Sequence, residues 1–432
     1  MVLGNVLQGM SGTLNGIFVG QMLGTQALAA TAGMFPIVFF LVSLVIGVGA
    51  GASILIGQAW GAGELHKVRH IAGNAILAGL VVGVCAAWLG SAFAAPALRA
   101  LHTPPEVLAD AVLYARTLML AMPGLLLFIL FSQLLRGVGD TFSPMVAMLL
   151  STALSCVLTP ALIRGWAGLP QLGLVSAAAA TVASYVAALG WLAWHLRRRR
   201  HPLALDAQLL RQMRPHGPTL RLMLRIGMPA GVQMIVVSLA EIVLLALVNG
   251  HGPDAVAAYG AVNQIVNYVQ FPAMSIAITA SILCAQAIGA GRAERLGAIT
   301  RTALGLNLVV TGGLVLLGYG FSERLLALFI TRPDVIALAQ SLLHILLWSL
   351  LLHGWASVLG GVMRASGTVM VPMLLSVACI ACVELPAAYA LSAAVGLRGV
   401  WMSYPITFAA MLVLNAAYFQ LVWRRRRIAR LV

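Results

Sequence analysis

Charged side chains are scarce in this sequence. Of its 432 residues only 9% are charged, whereas 61% are hydrophobic, and the mean hydropathy is +0.99. A soluble domain carries about 25% charged residues, so this chain has too few water-compatible side chains to cover a globule. The composition excludes a soluble protein and indicates an integral membrane protein.

Negative charge is rarer still, because 11 Asp and Glu stand against 26 Lys and Arg, which gives a net charge of +15. In a soluble protein such an excess would suggest a nucleic-acid partner. Here the basic residues occur in short runs between apolar segments, as membrane topology signals do. We therefore expect the lipid bilayer as a partner and no nucleic acid.

Two kinds of functional motif are absent. The five cysteines lie inside or against apolar stretches and lack the spacing of a disulfide framework or a zinc site, so we expect packing residues and no metal. No GxxxxGK[ST] phosphate loop occurs. The Gly47-Val-Gly49-Ala-Gly51 run has no lysine and no preceding strand, and it predicts a helix-packing segment. The sequence therefore offers no motif of this kind for binding ATP.

Twelve stretches are long and apolar enough to cross a bilayer, which takes roughly 20 residues each. They cover residues 1–23, 33–60, 71–95, 109–135, 143–164, 172–196, 224–249, 257–288, 300–320, 336–362, 369–395 and 399–423. Placing both termini in the cytoplasm puts all basic residues on that side except Arg99, Arg116, Arg164, Arg324, Arg332 and Arg398. The layout gives an N-lobe (1–196), a cytoplasmic linker (197–223) and a C-lobe (224–432) with a short basic tail.

The two halves carry an internal repeat. Residues 51–63, GASILIGQAWGAG, align without gaps to residues 279–291, TASILCAQAIGAG, with nine identities in thirteen. At the same offset Arg136 and Gly139 align with Arg364 and Gly367. Six predicted spans separate equivalent points, so the halves have the same orientation. Transporters use such parallel repeats to place a binding site between two moving halves.

The repeat also indicates a defect at the start of the chain. Met1 aligns with Pro229, so the first half lacks a counterpart of the Arg225-Ile-Gly-Met-Pro229 lead-in. We expect that the chain begins further upstream or that its first helix is shortened. A signal peptide is not expected, because no basic residue precedes Lys67.

Several segments in this order resemble one family. They are NGIFVGQMLGTQALAA (15–30), GQAWGAG (57–63), LLRGVGDT (134–141), GMPAGVQ (227–233), AQAIGAG (285–291) and two segments that close at Pro160 and Pro386. The sequence resembles the multidrug and toxic compound extrusion (MATE) transporters over essentially its whole length. The resemblance implies a V-shaped all-α membrane protein with two six-helix lobes, alternating access, and export of cationic amphipathic compounds in exchange for H⁺ or Na⁺.

Two departures from the family pattern affect the N-lobe. Many members carry Asp where this sequence has Asn15, and Asp before the fifth-helix proline where this one has Thr159. The carboxylates that would bind the coupling ion in that lobe are therefore absent. Asn15 remains as a neutral residue that we assign to the substrate pocket.

Coupling is predicted to lie in the C-lobe. Glu241 and Glu384 are the acidic residues deep within apolar spans, and a carboxylate there costs a few kcal/mol unless it is protonated. Glu384 lies two residues before Pro386, and this proline predicts a helix break. The break would either suit an ion site or be capped by the glutamate.

His353 lies eleven residues before Arg364, where some sodium-coupled relatives have an acid. Because a histidine relays protons but does not replace a sodium carboxylate ligand, H⁺ is favoured over Na⁺. Structural, hydrogen-bonded roles are the alternative for all three.

A polar stripe marks the eighth predicted span. Asn263, Asn267 and Gln270 have i, i+4, i+7 spacing and lie on one helix face. With Gln264 and Tyr268 they would form a neutral polar pocket for organic cations. Hydrogen bonding between helices is the equally weighted alternative.

The repeated arginines, Arg136 and Arg364, lie at the inner ends of the fourth and tenth spans. They are predicted to anchor helix ends or close a cytoplasmic gate, with Pro160 and Pro386 as structural positions. Two glutamates and scattered histidines form no catalytic set, so we expect no enzyme and no cofactor beyond the coupling ion.

The sequence therefore predicts a monomeric, multi-pass exporter of the bacterial inner membrane, which exchanges cationic amphipathic compounds for H⁺. Two alternatives stay open. One is a lipid-linked oligosaccharide flippase, for which intramembrane arginines would be the distinguishing feature, and the other is a non-transporting paralogue.

Overall fold

The computed structural model describes residues 35–100, 105–168, 175–426 and 428–432, together with Gly4, Phe18, Gln21, Met22, Gln171 and Gly173. Most of the first predicted span (1–23), including Asn15, lies outside these residues. The chain divides into two compact units, residues 1–60 with 64–231 and residues 61–63 with 232–432.

The first unit is built from long helices with short turns between them. They are α1 (Phe35–Gly61), α2 (Leu65–Ala100), α3 (Pro105–Gly137), α4 (Phe142–Arg164), α5 (Val175–Arg198), the short α6 (Ala207–Gln212) and the first half of α7 (Gly217–Asn249). The linker that follows α5 carries α6 and packs against α2 within this unit: Arg69 Nε donates to the Pro202 carbonyl over 3.0 Å.

The second unit repeats this plan. Its helices are the rest of α7, then α8 (Pro253–Gly289), α9 (Arg295–Gly320), α10 (Ser322–Ala327), α11 (Pro333–Leu347), α12 (Ser349–Ala365), α13 (Met370–Cys379), α14 (Leu385–Val395) and α15 (Leu397–Leu421). A continuous apolar core joins the end of α7 with α8 to α12, α14 and α15, and in it Trp401 is 1% exposed and packs edge-to-face on Tyr259. The predicted all-α membrane class is confirmed: eleven helical segments in the described residues are long and apolar enough to cross a bilayer.

Glycines let helices of the first unit approach closely. A Cβ on Gly227 would lie 2.1 Å from the Gly47 carbonyl oxygen, and a Cβ on Gly51 would lie 2.4 Å from the Met223 carbonyl oxygen. The glycine run in α1 is therefore the contact surface for α7, as predicted for a packing segment. Without side chains at these positions, the two backbones meet directly.

The internal repeat is visible in the backbone of the turns. Gly63 and Gly291, which end the repeated GAG segments, have φ values of 76° and 72°, and Gly139 and Gly367 have φ values of 91° and 84°. These are left-handed conformations in which glycine avoids a steric cost. The same two turns are thus formed in the same way in each unit.

The helix break predicted near Pro386 is not found. Ile380–Glu384 form a π-helical turn between α13 and α14, and the Leu385 N–H bonds to the Ile380 carbonyl. The wider turn accommodates the proline, which has no N–H to donate, without interrupting the helix. Pro160 likewise lies inside the uninterrupted α4.

Candidate functional site

Two acidic residues from distant parts of the sequence meet in the second unit. Glu241 lies on an exposed part of α7, and Glu384 is 7% exposed at the last position of the π-helical turn. The two carboxyl groups lie within electrostatic range of each other. The structure therefore brings both predicted coupling acids into one site.

Two tyrosines complete this acidic cluster, which consists of Glu241, Glu384, Tyr259, Tyr404 and Asn263. Tyr259 of α8 lies within side-chain hydrogen-bonding reach of Asn263 and of Tyr404 on α15. Both phenols lie within electrostatic range of both glutamates. A chain of hydroxyl groups thus runs beside the two acids.

Sequence reasoning missed these tyrosines. Tyr259 lies four residues before Asn263 and so extends the polar stripe by one turn. That spacing was a signal that could have found it. No comparable signal marked Tyr404, because its partners come from other helices.

His353 lies one ring away from the cluster. Its imidazole packs 4.7 Å from the Phe408 ring, and Phe408 in turn lies 6.1 Å from Tyr404. Its Nδ1 is buried and has no hydrogen-bond partner among the residues described. The structure therefore brings His353 near the acids through an aromatic contact, not through a hydrogen bond.

His344 belongs to a different network. Its Nε2 lies 3.1 Å from Ser322 Oγ, and its backbone carbonyl accepts a hydrogen bond from the Tyr319 hydroxyl over 2.8 Å. Gln340 Nε2 also donates to Ser322 Oγ. This network joins α9, α10 and α11 and has a structural role.

The polar stripe follows the less buried face of α8. Asn267 is exposed, and Asn263, Gln264, Tyr268 and Gln270 are partly buried. The neighbouring face carries buried valines of the core, Val262, Val266 and Val269. Of the stripe, only Asn263 reaches the acidic cluster.

The repeated arginines lie at helix ends. Arg136, in the last turn of α3, donates from Nη1 to Gln133 Oε1 over 3.4 Å. Arg364 lies in the last turn of α12, and its guanidinium packs beside Gly360: a Cβ on that glycine would lie 3.3 Å from Arg364 Nη1. Within the described ranges neither guanidinium has a carboxylate within 4 Å. Their predicted gate role stays a prediction.

The first unit has no acid at the two positions before its fifth-span proline, which are Leu158 and Thr159. Thr159 is fully buried in α4 directly before Pro160. In the described part of the chain no group of three or more His, Cys, Asp or Glu is arranged to hold a metal ion. An arrangement of two membrane-embedded acids and neutral polar groups is suited to binding and releasing a proton or a small cation.

These features define a multi-pass helical membrane protein with an acidic site in its second unit, and comparison with known proteins identifies its family. The MatE family profile matches residues 1–161 and 229–390. The chain is 42% identical to the "Probable multidrug resistance protein YoeA" of Bacillus subtilis (strain 168), over all of this chain and 94% of that protein. It is 28% identical to the "FAD transporter" of Shewanella oneidensis, over 90% of this chain and 85% of that protein.

A solved structure shows the same fold. The crystal structure of MATE in complex with MaL6 superposes with a TM-score of 0.90 at 23% identity, over 98% of this chain and 93% of that chain. The chain belongs to the MatE family of transporters, and the resemblance predicted from its motifs is confirmed. It is a multi-pass membrane transporter with the all-α fold of that family.

Proposed function

We propose that this transporter exports amphipathic cations in exchange for H⁺ and that Glu241 and Glu384 carry the exchanged proton. The observation that supports this proposal is that the two glutamates lie within electrostatic range of each other and of Tyr259 and Tyr404. Two negative charges repel strongly at low dielectric. A single proton shared by the pair removes that repulsion.

The exchange follows from competition for this charge. A cation that approaches the pair stabilises its doubly ionised form and so displaces the proton. A proton that arrives from the other side neutralises the pair and releases the cation. Alternating exposure of the site couples the two events, provided the two conformations differ in their affinity for each ligand.

The polar stripe on α8 supports a broad substrate range. Amide groups of Asn263, Gln264, Asn267 and Gln270 offer donors and acceptors without fixed charge, and Asn267 is exposed. Neutral, flexible hydrogen-bonding surfaces discriminate weakly among ligands. This fits the multidrug resistance name of the Bacillus relative.

The name of the Shewanella relative supports a second candidate substrate, a flavin dinucleotide. That substrate is anionic, and the two acids would repel it. We therefore place organic cations first and make the flavin an arm of the test.

The test uses the full chain in proteoliposomes. Ethidium efflux is measured under an imposed pH gradient and, separately, under a sodium gradient, for wild type, Glu241→Gln and Glu384→Gln. Glu323→Gln is the matched control, because Glu323 is exposed on α10 outside the cluster. We expect efflux that requires the pH gradient, is lost in the two cluster variants and persists in the control.

Each other outcome contradicts a defined part of the proposal. Sodium-driven efflux would overturn the choice of ion. Undiminished efflux by both cluster variants would overturn the role of the acids. Movement of the flavin but not of ethidium would replace the substrate class, and movement of neither would favour the flippase or the non-transporting paralogue.

We also propose a location in the bacterial inner membrane, with the linker and the tail in the cytoplasm, a monomeric working unit and no cofactor besides the coupling ion. The basic residues of the linker support this orientation. Thiol labelling of an introduced Leu210→Cys, at an exposed position of α6, by an impermeant reagent in intact cells should fail and should succeed after lysis. Labelling of intact cells would reverse the orientation.

A further inference from the structure

In each unit a segment that follows the last long helix turns back over the helix ends. The linker strap comprises residues 199–206, after α5, and the tail strap comprises residues 423–426 and 428–432, after α15. An aromatic pair stacks near the end of each of these helices, Trp191 on His195 and Phe419 on Trp423. A leucine follows the second member of each pair by eight positions: Leu203 follows His195, and Leu431 follows Trp423.

The linker strap contacts two places in the first unit. Its Pro202 carbonyl accepts from Arg69 Nε over 3.0 Å, and Arg69 lies in the second turn of α2. His201 Nε2 lies 3.9 Å from Asp140 Oδ2 in the α3–α4 turn. Leu203, the next residue after Pro202, is fully buried. The strap therefore joins the start of α2 to the α3–α4 turn.

The tail strap contacts two turns of the second unit. Trp423 Nε1 donates to Ser366 Oγ over 2.9 Å, and a Cβ on Gly367 would lie 2.9 Å from the Leu431 side chain. These contacts lie in the α12–α13 turn. Arg430 Nη2 lies 3.8 Å from a Cβ built on Gly291 in the α8–α9 turn. The α12–α13 turn is the one that the repeat pairs with the α3–α4 turn of the first unit.

We propose that these two segments are equivalent structural straps, each holding two helix ends of its own unit at a fixed separation so that the unit moves as one body during transport. Helix pairs joined only by short turns can slide against each other at their ends. A segment bound to both helix ends removes that freedom at little entropic cost, because it is already tethered to the helix that precedes it.

The two straps differ in chemistry. The linker strap uses an ion pair, in which Arg69 Nη2 lies 3.4 Å from Asp206 Oδ2, together with polar contacts. The tail strap instead places Leu431 on Gly367, and Thr368 stands where the first unit has Asp140. Raised salt is therefore expected to loosen the linker strap more than the tail strap.

Hydrogen exchange of the full chain in nanodiscs tests the proposal without any transport measurement. In Leu431→Asp we expect amides of residues 289–294 and 365–369 to exchange about tenfold faster than in wild type, because a carboxylate cannot stay on the apolar contact. Ala429→Asp is the matched control, since residue 429 is exposed in the same segment and its variant adds the same charge.

The first unit supplies the reciprocal test. Leu203→Asp should accelerate exchange at residues 65–70 and 138–142 only, and Leu210→Asp, at a position 54% exposed, should not. If Leu431→Asp does not insert, Leu431→Ala gives the milder form of the same change. Wild-type exchange in the leucine variants, or equal acceleration in the controls, would overturn the proposal.

The role of the straps in transport rests on the proposed function, and it has its own readout. Leu431→Asp should slow efflux about tenfold without changing its dependence on the pH gradient, and Leu431→Met should restore it. Faster hydrogen exchange with unimpaired efflux would overturn the mechanical role of the strap. Inactivity of the wild type would instead be a failure of the proposed function, and the hydrogen-exchange result would still stand.

Discussion

Glu384 ends a π-helical turn and lies within electrostatic range of Glu241, which precedes it by more than a hundred residues and belongs to another helix. The pair is the one place in the described chain where two acids of apolar spans meet. Its chemistry depends on both members, and this leads to the first prediction.

Replacement of the two glutamates should be strongly non-additive. If the two glutamates share one proton, Glu241→Gln or Glu384→Gln alone already prevents the exchange of a proton for the substrate. The double variant should therefore lose no more pH-driven efflux than the less active single variant. Groups that act as a unit behave in this way. Efflux rates of the four proteins under one pH gradient measure it. Losses that multiply would show that the acids act independently.

Tyr404→Phe should weaken coupling while preserving the packing of the ring near Phe408. Loss of one hydroxyl hydrogen bond is worth roughly 1 kcal/mol, or about a fivefold lower rate. The measurement is protons released per ethidium exported. Tyr418→Phe is the control on the same helix, because its buried hydroxyl has no partner among the described residues. An equal effect of both variants would contradict a specific role for Tyr404.

Gly367→Ala should destabilise the protein by roughly 1–3 kcal/mol. Gly367 has a φ of 84°, and its missing Cβ leaves room for Leu431. Thermal unfolding in detergent measures the effect. Gly305→Ala is the control within α9, where a Cβ meets nothing within 4 Å, and it should stabilise by about 0.5–1 kcal/mol. A stable Gly367→Ala variant would contradict the strained turn.

Docking of the linker strap should weaken in acid. Burial lowers the pKa of the His201 imidazole, Asp140 acts in the opposite direction, and His195 adds to the lowering. A histidine whose folded pKa is depressed binds fewer protons when docked. Docking of the linker strap is therefore fully stabilised above the ordinary histidine pKa, roughly 6.5. This stabilisation is lost as the pH falls through the lower pKa that His201 has in the docked state.

The mobility of a spin label at position 210 measures this docking. We expect mobility to rise as the pH falls from about 7.5 to 5 and to change little in His201→Gln. The titratable groups that act on His201 are Asp140 and His195. Constant mobility across this range in the wild type would exclude the histidine as its cause.

Much of the fold could be predicted from local sequence. The spans, the repeat and the turn glycines depend on hydropathy and on backbone sterics within a few residues, and these properties act at short range. The stripe on α8 was visible because a helix has a fixed period. Glu241 and Glu384 were found as candidates because an acid in an apolar span is costly wherever it lies.

The sequence by itself determined that this is a helical membrane protein with a parallel repeat, and which acidic residues lie within its apolar spans. Only the tertiary structure decided that the two glutamates meet, that Tyr404 joins them and that Leu431 rests on Gly367. It also replaced the expected break at Pro386 by a π-helical turn. The reason is physical: helix formation and membrane insertion follow from local composition, whereas contacts between side chains far apart in the chain follow from how the helices pack.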